Sequence, residues 1–592
     1  MEKRWTLKER AEESAIKELS ASLNSLHPVL CELLIHRGVT CFDQAKSFFR
    51  PSLSELHDPF LMKDMDNAVE RLQDAIEKKE KILIYGDYDV DGTTSVSLLY
   101  RFLIKHYENI DYYIPDRYSE GYGISFQGID FAENNGFSLI IALDCGIKAV
   151  DKIAYASEKK IDFIICDHHR PGNILPQAVA VLDPKREDCP YPFKELSGCG
   201  VGFKFMQAFS RKANIPEEDL LNLLDLLAIS ICADIVPIVD ENRILTFHGI
   251  RKLENNPLPG IKAMMEIANL KKKEITVTDV VFSLAPRINA AGRIESGKNA
   301  VEVLISNHPE IATEKSAYID GHNSDRKQLD KSITEQALEM IHSDPTLISR
   351  KTTCLFKEDW HKGVIGIVAS RCIESFYRPT IILTESNGMA AGSARSVKGF
   401  DIYNAIEECS DLIEQFGGHK YAAGLTIKKE NIPKFQEKFE EVVAASIHED
   451  LLKPEIVMDC EIRLSDIQPK FYRVLKQFSP SGPGNMRPVF CVRNVTERGY
   501  ARIVGNGHLK MEIVDPENQD IFYPCIGFGL GEKMEMVQKG NRFDAVFVIE
   551  ENEWNGNVSL QLLLKDIRPA EKESLAPNKM EQGSTQVHNQ FS

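Results

Sequence analysis

From Lys81 onward the chain alternates short apolar runs with amphipathic stretches. KILIYGD, IDYYIPD, FSLIIALDCG, IDFIICDHH and AVAVLDP follow one another at intervals of roughly 15 to 30 residues, the rhythm of βαβ units. The runs are apolar almost without interruption, as strands buried on both faces are, so they predict a parallel sheet covered by helices. Residues 1–75 read as helices with short links, closing on an amphipathic helix within PSLSELHDPFLMKDMDNAVERLQDAIEKK. From about 196 to 345 the pattern is largely helical, with long charged helices near 310–343. A second α/β unit starts near Thr352 with TCLFKEDWHKGVIGIVASRC and PTIILTE. Between Glu455 and Arg568 short alternating segments such as PVFCVRN, ARIVGNGHLKMEIVD and RFDAVFVIEENEW predict a small antiparallel barrel of the OB type. The C-terminal stretch EKESLAPNKMEQGSTQVHNQFS has no apolar periodicity and reads as disordered.

The expected fold class is therefore α/β with added modules. An N-terminal helical region spans 1–75, a parallel-sheet catalytic domain 76–240 and a helical connector 241–345. A substrate-side α/β domain spans 346–450, the barrel 455–568 and a tail 569–592. Composition agrees with this division: 592 residues exceed a single core, and 43% hydrophobic with 27% charged residues is ordinary for a soluble globular protein. No apolar run reaches membrane-spanning length, and the charged N-terminus MEKRWTLKERAEESAIKEL lacks a signal-peptide core, so the expected location is the cytoplasm, with no membrane partner. Thirteen cysteines stand singly, without a CxxC pair, and Cys145, Cys166 and Cys232 fall in apolar segments; reduced buried thiols explain them better than disulfides or zinc. The net charge of −17 argues against a protein that coats nucleic acid nonspecifically, but a local basic groove suffices for a nuclease.

Candidate chemistry gathers at strand ends. Asp87, Asp89 and Asp91 stand two apart, so an extended chain would present all three on one face. Three carboxylates on one face repel, and a hard divalent cation relieves the conflict; an acidic turn after a buried strand is the alternative. Asp144 follows FSLIIAL, Asp167, His168 and His169 follow IDFIIC, and Asp234 follows the apolar helix LLDLLAISICA. Each alone reads equally as a helix cap, a turn former or a surface histidine. Together they describe a carboxylate-and-imidazole site for two divalent cations, roughly 3.5–4 Å apart, suited to phosphodiester hydrolysis. Imidazole suits Mn²⁺ as well as Mg²⁺ and tilts the expectation toward Mn²⁺. His168 is the expected ligand, and His169 the group that donates to the phosphate or leaving oxygen.

DYDVDG (87–92), DHH (167–169) and ADIVP (233–237) resemble the signature motifs of the DHH phosphoesterase superfamily. Further motifs in order narrow the resemblance to the RecJ family of single-strand-specific 5′→3′ DNA exonucleases. They are DRYSEGYG (116–123), LDCG (143–146), GCGVGFK (198–204), PRINAAGR (286–293), HKGVIGIVASR (361–371), GSARS (392–396), FGGHKYAAG (416–424) and SPSGPGNMRPVF (479–490). The resemblance implies a DHH catalytic domain over 76–240, a DHHA1 substrate-binding domain over 346–450 and an OB-fold over 455–568. It implies metal ligands at Asp89, Asp91, Asp144, His168 and Asp234, with Asp87 and His169 close by in catalytic roles. One departure is that Ile231 and Cys232 stand where the family has small polar residues ahead of its Ala-Asp pair.

The resemblance also implies that Ser393 and Arg395, joined by Arg117, bind a terminal 5′-phosphate, and Arg forks suit a dianionic phosphate better than Lys does. His361, Ser396 and His419 are further phosphate contacts on this reading. PRINAAGR would set Arg287 toward the metal-bound phosphate, with Asn289 capping a following helix and Arg293 at the far end; surface salt bridges are the alternative. Trp360 is a candidate base-stacking platform. The expected function is release of 5′-mononucleotides from single-stranded DNA in recombination and repair. The expected protein is a monomer supplied with unwound substrate by a single-strand DNA-binding protein and a RecQ-type helicase. A phosphodiesterase for cyclic dinucleotides or very short RNA is the enzymatic alternative, and a replication scaffold that has lost its ligands the non-enzymatic one. The N-terminal extension and C-terminal barrel favour the exonuclease, and the intact ligand set disfavours the scaffold.

Overall fold

The computed structural model describes residues 2–270, 274–538, 540–554 and 556–570; the tail expected over 569–592 lies outside them from residue 571 on. Strand β1 (Arg4–Leu7) opens the chain and is followed by helices up to Glu77. Five parallel strands come next: β2 (Lys81–Gly86), β3 (Ile110–Tyr113), β4 (Phe137–Leu143), β5 (Asp162–Cys166) and β6 (Ala180–Leu182). They pair in the order β3-β2-β4-β5-β6. Their near-continuous apolar character is explained by two cores: Ile82, Ile84, Leu139 and Ile141 face one layer, while Leu83, Tyr85, Ile140 and Ala142 face the other. The order reverses between β2 and β4, and an open α/β sheet forms its ligand crevice outside the strand ends at such a point. The aspartate-bearing motifs after β2 and β4 therefore meet across this switch.

The helical connector ends in one helix, Pro309–Ser343, about 50 Å long, which carries the chain to the second α/β unit. There β7 (Thr353–Phe356), β8 (Thr380–Ser386), β9 (Met389–Arg395), β10 (Gln415–His419) and β11 (Ala422–Ile427) form a sheet in the order β10-β11-β9-β8-β7, with β7 and β8 parallel and the rest antiparallel. After β12 (Glu455–Met458) and β13 (Cys460–Glu461) come β14 (Phe490–Glu497), β15 (Arg502–Val504), β16 (His508–Val514), β17 (Phe522–Gly527), β18 (Phe543–Trp554) and β19 (Asn557–Pro569). The pairings β14–β18, β18–β19, β19–β17, β17–β16 and β16–β14 return to their start, which is a five-stranded barrel.

The N-terminal region departs from the all-helical expectation. β1 pairs in parallel with β12, Arg4 opposite Glu455, and Leu30, Leu34 and Phe48 share one core with Phe471, Phe490 and Phe547 of the barrel domain. A four-residue strand whose partner lies at the other end of the chain leaves no local periodicity to read. The cysteines are all unpaired, and Cys145, Cys166 and Cys232 are buried as expected.

Candidate metal centre

The three leading aspartates do not lie on one extended face. β2 ends at Gly86, Asp89 is the N-cap of the helix Val90–Leu103, and Asp91 sits in that helix's first turn. The strand-to-helix turn is tight enough that a Cβ on Gly92 would come within 2.3 Å of the Asp87 carbonyl oxygen. The turn, not strand alternation, brings the carboxylates together.

Other elements close around them. The helix Gly198–Ala213 aims its N-terminus at Asp91, whose carboxylate accepts the Gly198 and Cys199 amides at 2.6 and 2.9 Å and the Ser230 hydroxyl at 2.6 Å. Gly198 is required there, since a Cβ would stand 2.6 Å from the Asp144 Cβ. Asp234 follows the helix Leu224–Ala233 as its C-cap. Asp144 (φ 58°) and Ile235 (φ 62°) adopt the left-handed region, which costs an L-residue about 1–2 kcal/mol and collects at functional sites.

His168 stands at the centre. Its Nε2 lies 3.2 Å from Asp144 Oδ1, 3.5 Å from Asp234 Oδ2 and 3.7 Å from Asp91 Oδ2. Two groups of converging ligand atoms share it: Asp144, His168 and His169, and Asp91, His168 and Asp234. Burial, with repulsion from Asp91, Asp89 and Asp234, holds the Asp144 carboxyl well above the usual range. Burial and Asp89 do the same for Asp87, and burial and Asp91 push Asp234 up to about 8. Burial lowers the His168 imidazole. Asp87 Oδ2, Asp144 Oδ1 and both ring nitrogens of His168 are buried with no hydrogen-bond partner. Buried acceptors that face one another without donors fit a pair of divalent cations, and Asp87, Asp89, Asp91, Asp144, His168 and Asp234 are the residues placed to hold or surround them.

His169 differs from its neighbour. Burial alone would lower it, but the Asp167 carboxylate, 2.8 Å from Nδ1, raises it to about 9. Asp167 also accepts the amides of Ile147, His168 and His169, and is held well below the usual carboxylate range despite burial. The Tyr122 hydroxyl lies 3.4 Å from His169 Nε2. Asp167→Asn should lower kcat by about 10- to 100-fold with KM for DNA unchanged, because the amide no longer fixes the ring's orientation and charge. The check is a pH–rate profile: a limb that stays in place in the variant would remove His169 from the chemistry.

A cationic cluster flanks the carboxylates. Arg117 stacks on Tyr88 at 5.0 Å, beside Asp87, and Arg293 donates to the Gly363 carbonyl at 3.0 Å. Burial and the neighbouring Arg117, Arg326 and Arg395 push Arg293 down to about 10. Arg395 Nη1 donates to Ser393 Oγ at 3.1 Å, and both side chains face Gly366 in the first turn of the helix Ile365–Ser375, where a Cβ would lie 2.9 Å from each. Guanidiniums, a hydroxyl and a helix N-terminus converge on one place, as an anion site requires.

Several expectations differ. Arg287 is ion-paired with Asp320 at 2.8 Å and donates to the Ser283 carbonyl, so the linker helix occupies it. Asn289 lies inside the helix Ala285–Ile294 and caps nothing. The Ser396 hydroxyl is used within its own turn, on the Phe400 carbonyl at 2.9 Å. Trp360 is only 4% exposed, packed with Ile333 and Val364 and donating to Gln336, so no base can stack on it. His361 accepts the Gly363 amide beside Tyr118, at the margin of the cationic cluster. His419 is exposed at the tip of the β10–β11 hairpin, in register through Ala422 with Arg395. Sequence reasoning gives no role to Tyr122, Ser230 and Arg326, nor to Asp167 as the partner of His169; for Asp167 and Tyr122 the available signal is their place inside DHH and DRYSEGYG.

The model for the DHH family, N-terminal domain, matches residues 81–231, the DHHA1 domain 347–445 and the RecJ OB domain 458–566. The single-stranded-DNA-specific exonuclease RecJ of Bacillus subtilis (strain 168) is 38% identical over 571 residues, covering 96% of this chain and 71% of its own. That of Salmonella typhimurium is 32% identical, covering 95% and 98%. A crystal structure of RecJ in complex with Mn²⁺ from Thermus thermophilus matches at TM-score 0.81 with 24% identity, over 96% of this chain and 80% of that one, which establishes a common fold. An exonuclease RecJ bound to manganese matches at TM-score 0.58 with 28% identity, over 68% and 98%.

Proposed function

The chain belongs to the RecJ family of single-stranded-DNA-specific exonucleases, and from that premise we propose that it degrades single-stranded DNA from the 5′ end, releasing 5′-mononucleotides. The observation that carries the reading is the contact of two poles in one cleft. A carboxylate–imidazole cluster lies beside Arg117, Arg293, Arg326 and Arg395, with Arg117 close enough to act on Asp87 and Arg293 on Asp89.

Asp89, Asp91, Asp144, His168 and Asp234 would hold two divalent cations, Mn²⁺ or Mg²⁺, which supply an activated water and offset charge on the phosphoryl oxygens. His169, kept protonated by Asp167, presents Nε2 to the scissile phosphate or leaving oxygen. Arg395, Ser393 and the helix N-terminus at Gly366 bind the terminal 5′-phosphate, with Arg117 and Arg293 alongside. A phosphate pocket at a fixed distance from the cleavage centre counts nucleotides from one end, and this gives an exonuclease its polarity. A single-strand DNA-binding protein and a RecQ-type helicase are proposed to supply unwound strand, and the protein to act as a cytoplasmic monomer. No helix among the described residues is long and apolar enough to cross a membrane.

Digestion of end-labelled oligonucleotides with Mn²⁺ or Mg²⁺ tests this. A 5′-labelled single strand should yield labelled mononucleotide from the first turnover, a 3′-labelled strand should shorten progressively, and a blunt duplex should persist. Cleavage of dinucleotides alone would instead favour a small-substrate phosphodiesterase.

A further inference from the structure

SPSGPGNMRPVF has no part in the cleft chemistry above. Its loop, from Ser479 to Arg487, leaves the C-terminal domain and packs on Pro237–Val239 of the catalytic domain. The Ile238 amide donates to the Pro483 carbonyl at 2.7 Å. Gly482 lies so close to Ile238 that a Cβ would stand 2.5 Å from Cδ1 and 2.9 Å from Cγ1, and Gly484, at φ 74°, would meet Val239 Cγ1 at 2.9 Å.

The loop is anchored from both sides. Asn485, 2% exposed, donates to the Phe478 and Pro480 carbonyls at 2.7 and 2.8 Å and accepts from Arg37 Nε at 2.7 Å. Arg243 of the helix Asp240–Asn255, itself buried, donates to the carbonyls of Phe478, Ser479 and Pro480 at 3.0 to 3.2 Å.

The gripped segment needs such an anchor. Asp234 closes its helix, Ile235 follows at φ 62°, and Asp240 at φ 47° starts the next helix; between them the chain forms neither helix nor strand. Ile235 is 64% exposed, so packing of its own side chain does not hold this β-branched residue in the left-handed region. The segment is fixed instead by the Asn242 side chain on the Pro237 carbonyl (3.0 Å) and by the loop on the other side.

We propose that the loop Ser479–Arg487 is a positioning element for the metal centre: by gripping Pro237–Val239 it holds Asp234 in place beside Asp91 and His168. The C-terminal domain then sets metal affinity in the catalytic domain. This rests on the assignment of Asp234 as a ligand made above.

The test is titration of metal-stripped, full-length protein with Mn²⁺, following the free ion by electron paramagnetic resonance. Gly482→Ala should raise the Mn²⁺ Kd by about 10-fold, as loss of an outer support does, while KM for an oligonucleotide stays unchanged. Adding Ile238→Val, which deletes the Cδ1 that the new Cβ meets first and leaves only the Cγ1 contact at 2.9 Å, should restore part of the affinity. Asn485→Asp, which cannot donate to the Phe478 and Pro480 carbonyls, should weaken binding independently and serves if Gly482→Ala does not fold. Wild-type Mn²⁺ affinity in the folded loop variants overturns the inference, and so does a raised KM with unchanged affinity. Asp234→Asn separates the two levels. If it binds Mn²⁺ like the wild type, the ligand assignment fails and this inference with it. If it binds weakly while the loop variants do not, only the inference fails.

Discussion

Asp144→Asn should abolish hydrolysis, by at least about 10³-fold or ~4 kcal/mol of barrier, and at the same time raise the melting temperature of the metal-free protein. The two effects share one cause. Asp144 is buried, its Oδ1 has no donor, and Asp91, Asp89 and Asp234 face it. Without cations this cluster opposes folding, because its carboxyls must take up protons to be buried together; asparagine keeps the shape that Gly198 demands, is neutral without a proton and offers the remaining carboxylates a donor. Added Mn²⁺ should then stabilise the wild type and leave the variant nearly unmoved. The pH dependence has a definite sign. Carboxyls raised in the folded state bind more protons there than in the unfolded chain, so metal-free stability falls as pH climbs from the ordinary carboxylate range, near 4, through about 8, where Asp234 gives up its proton. Cations that replace those protons should flatten the decline. Thermal melts of metal-free and Mn²⁺-loaded protein from acidic to mildly alkaline pH check both points, and parallel curves would count against the cluster as a cation site.

The candidate ligand set is legible in the sequence because its members follow elements with strong local patterns. KILIYGD, FSLIIAL and IDFIIC each mark a buried strand, and the residue after such a strand faces the crevice wherever the sheet places its switch point. Strand alternation is the wrong reason for the first triplet, since Asp91 works from a helix turn and owes its place to the Gly198 and Ser230 contacts, which join segments far apart in sequence. The same limit hides the β1–β12 pairing, the ion pair that occupies Arg287 and the burial of Trp360 under the linker helix. An exposed aromatic and a core aromatic look alike in one dimension; only the packing of Ile333 and Gln336 against Trp360 decides between them.

Arg395→Ala should remove the preference for a 5′-phosphate that the proposed site would confer. With a 5′-phosphorylated single strand kcat/KM falls by about 10²-fold, the worth of one or two charge-assisted hydrogen bonds, while a 5′-hydroxyl strand is cut at nearly the wild-type rate. Arg395→Lys recovers only part of the loss, because an ammonium cannot reproduce the fork. Ser393→Ala costs less, since its hydroxyl is neutral and is partly spent on Arg395 itself. Folding should not suffer: burial holds the Arg395 guanidinium below its ordinary range, and it adds to the charge that lowers Arg293, so its removal relieves repulsion. Loss of stability therefore cannot imitate the effect, and thermal melts beside the kinetics make that separation. Equal losses on the two strands would place Arg395 in general phosphate binding along the chain, and the polarity of digestion would need another origin.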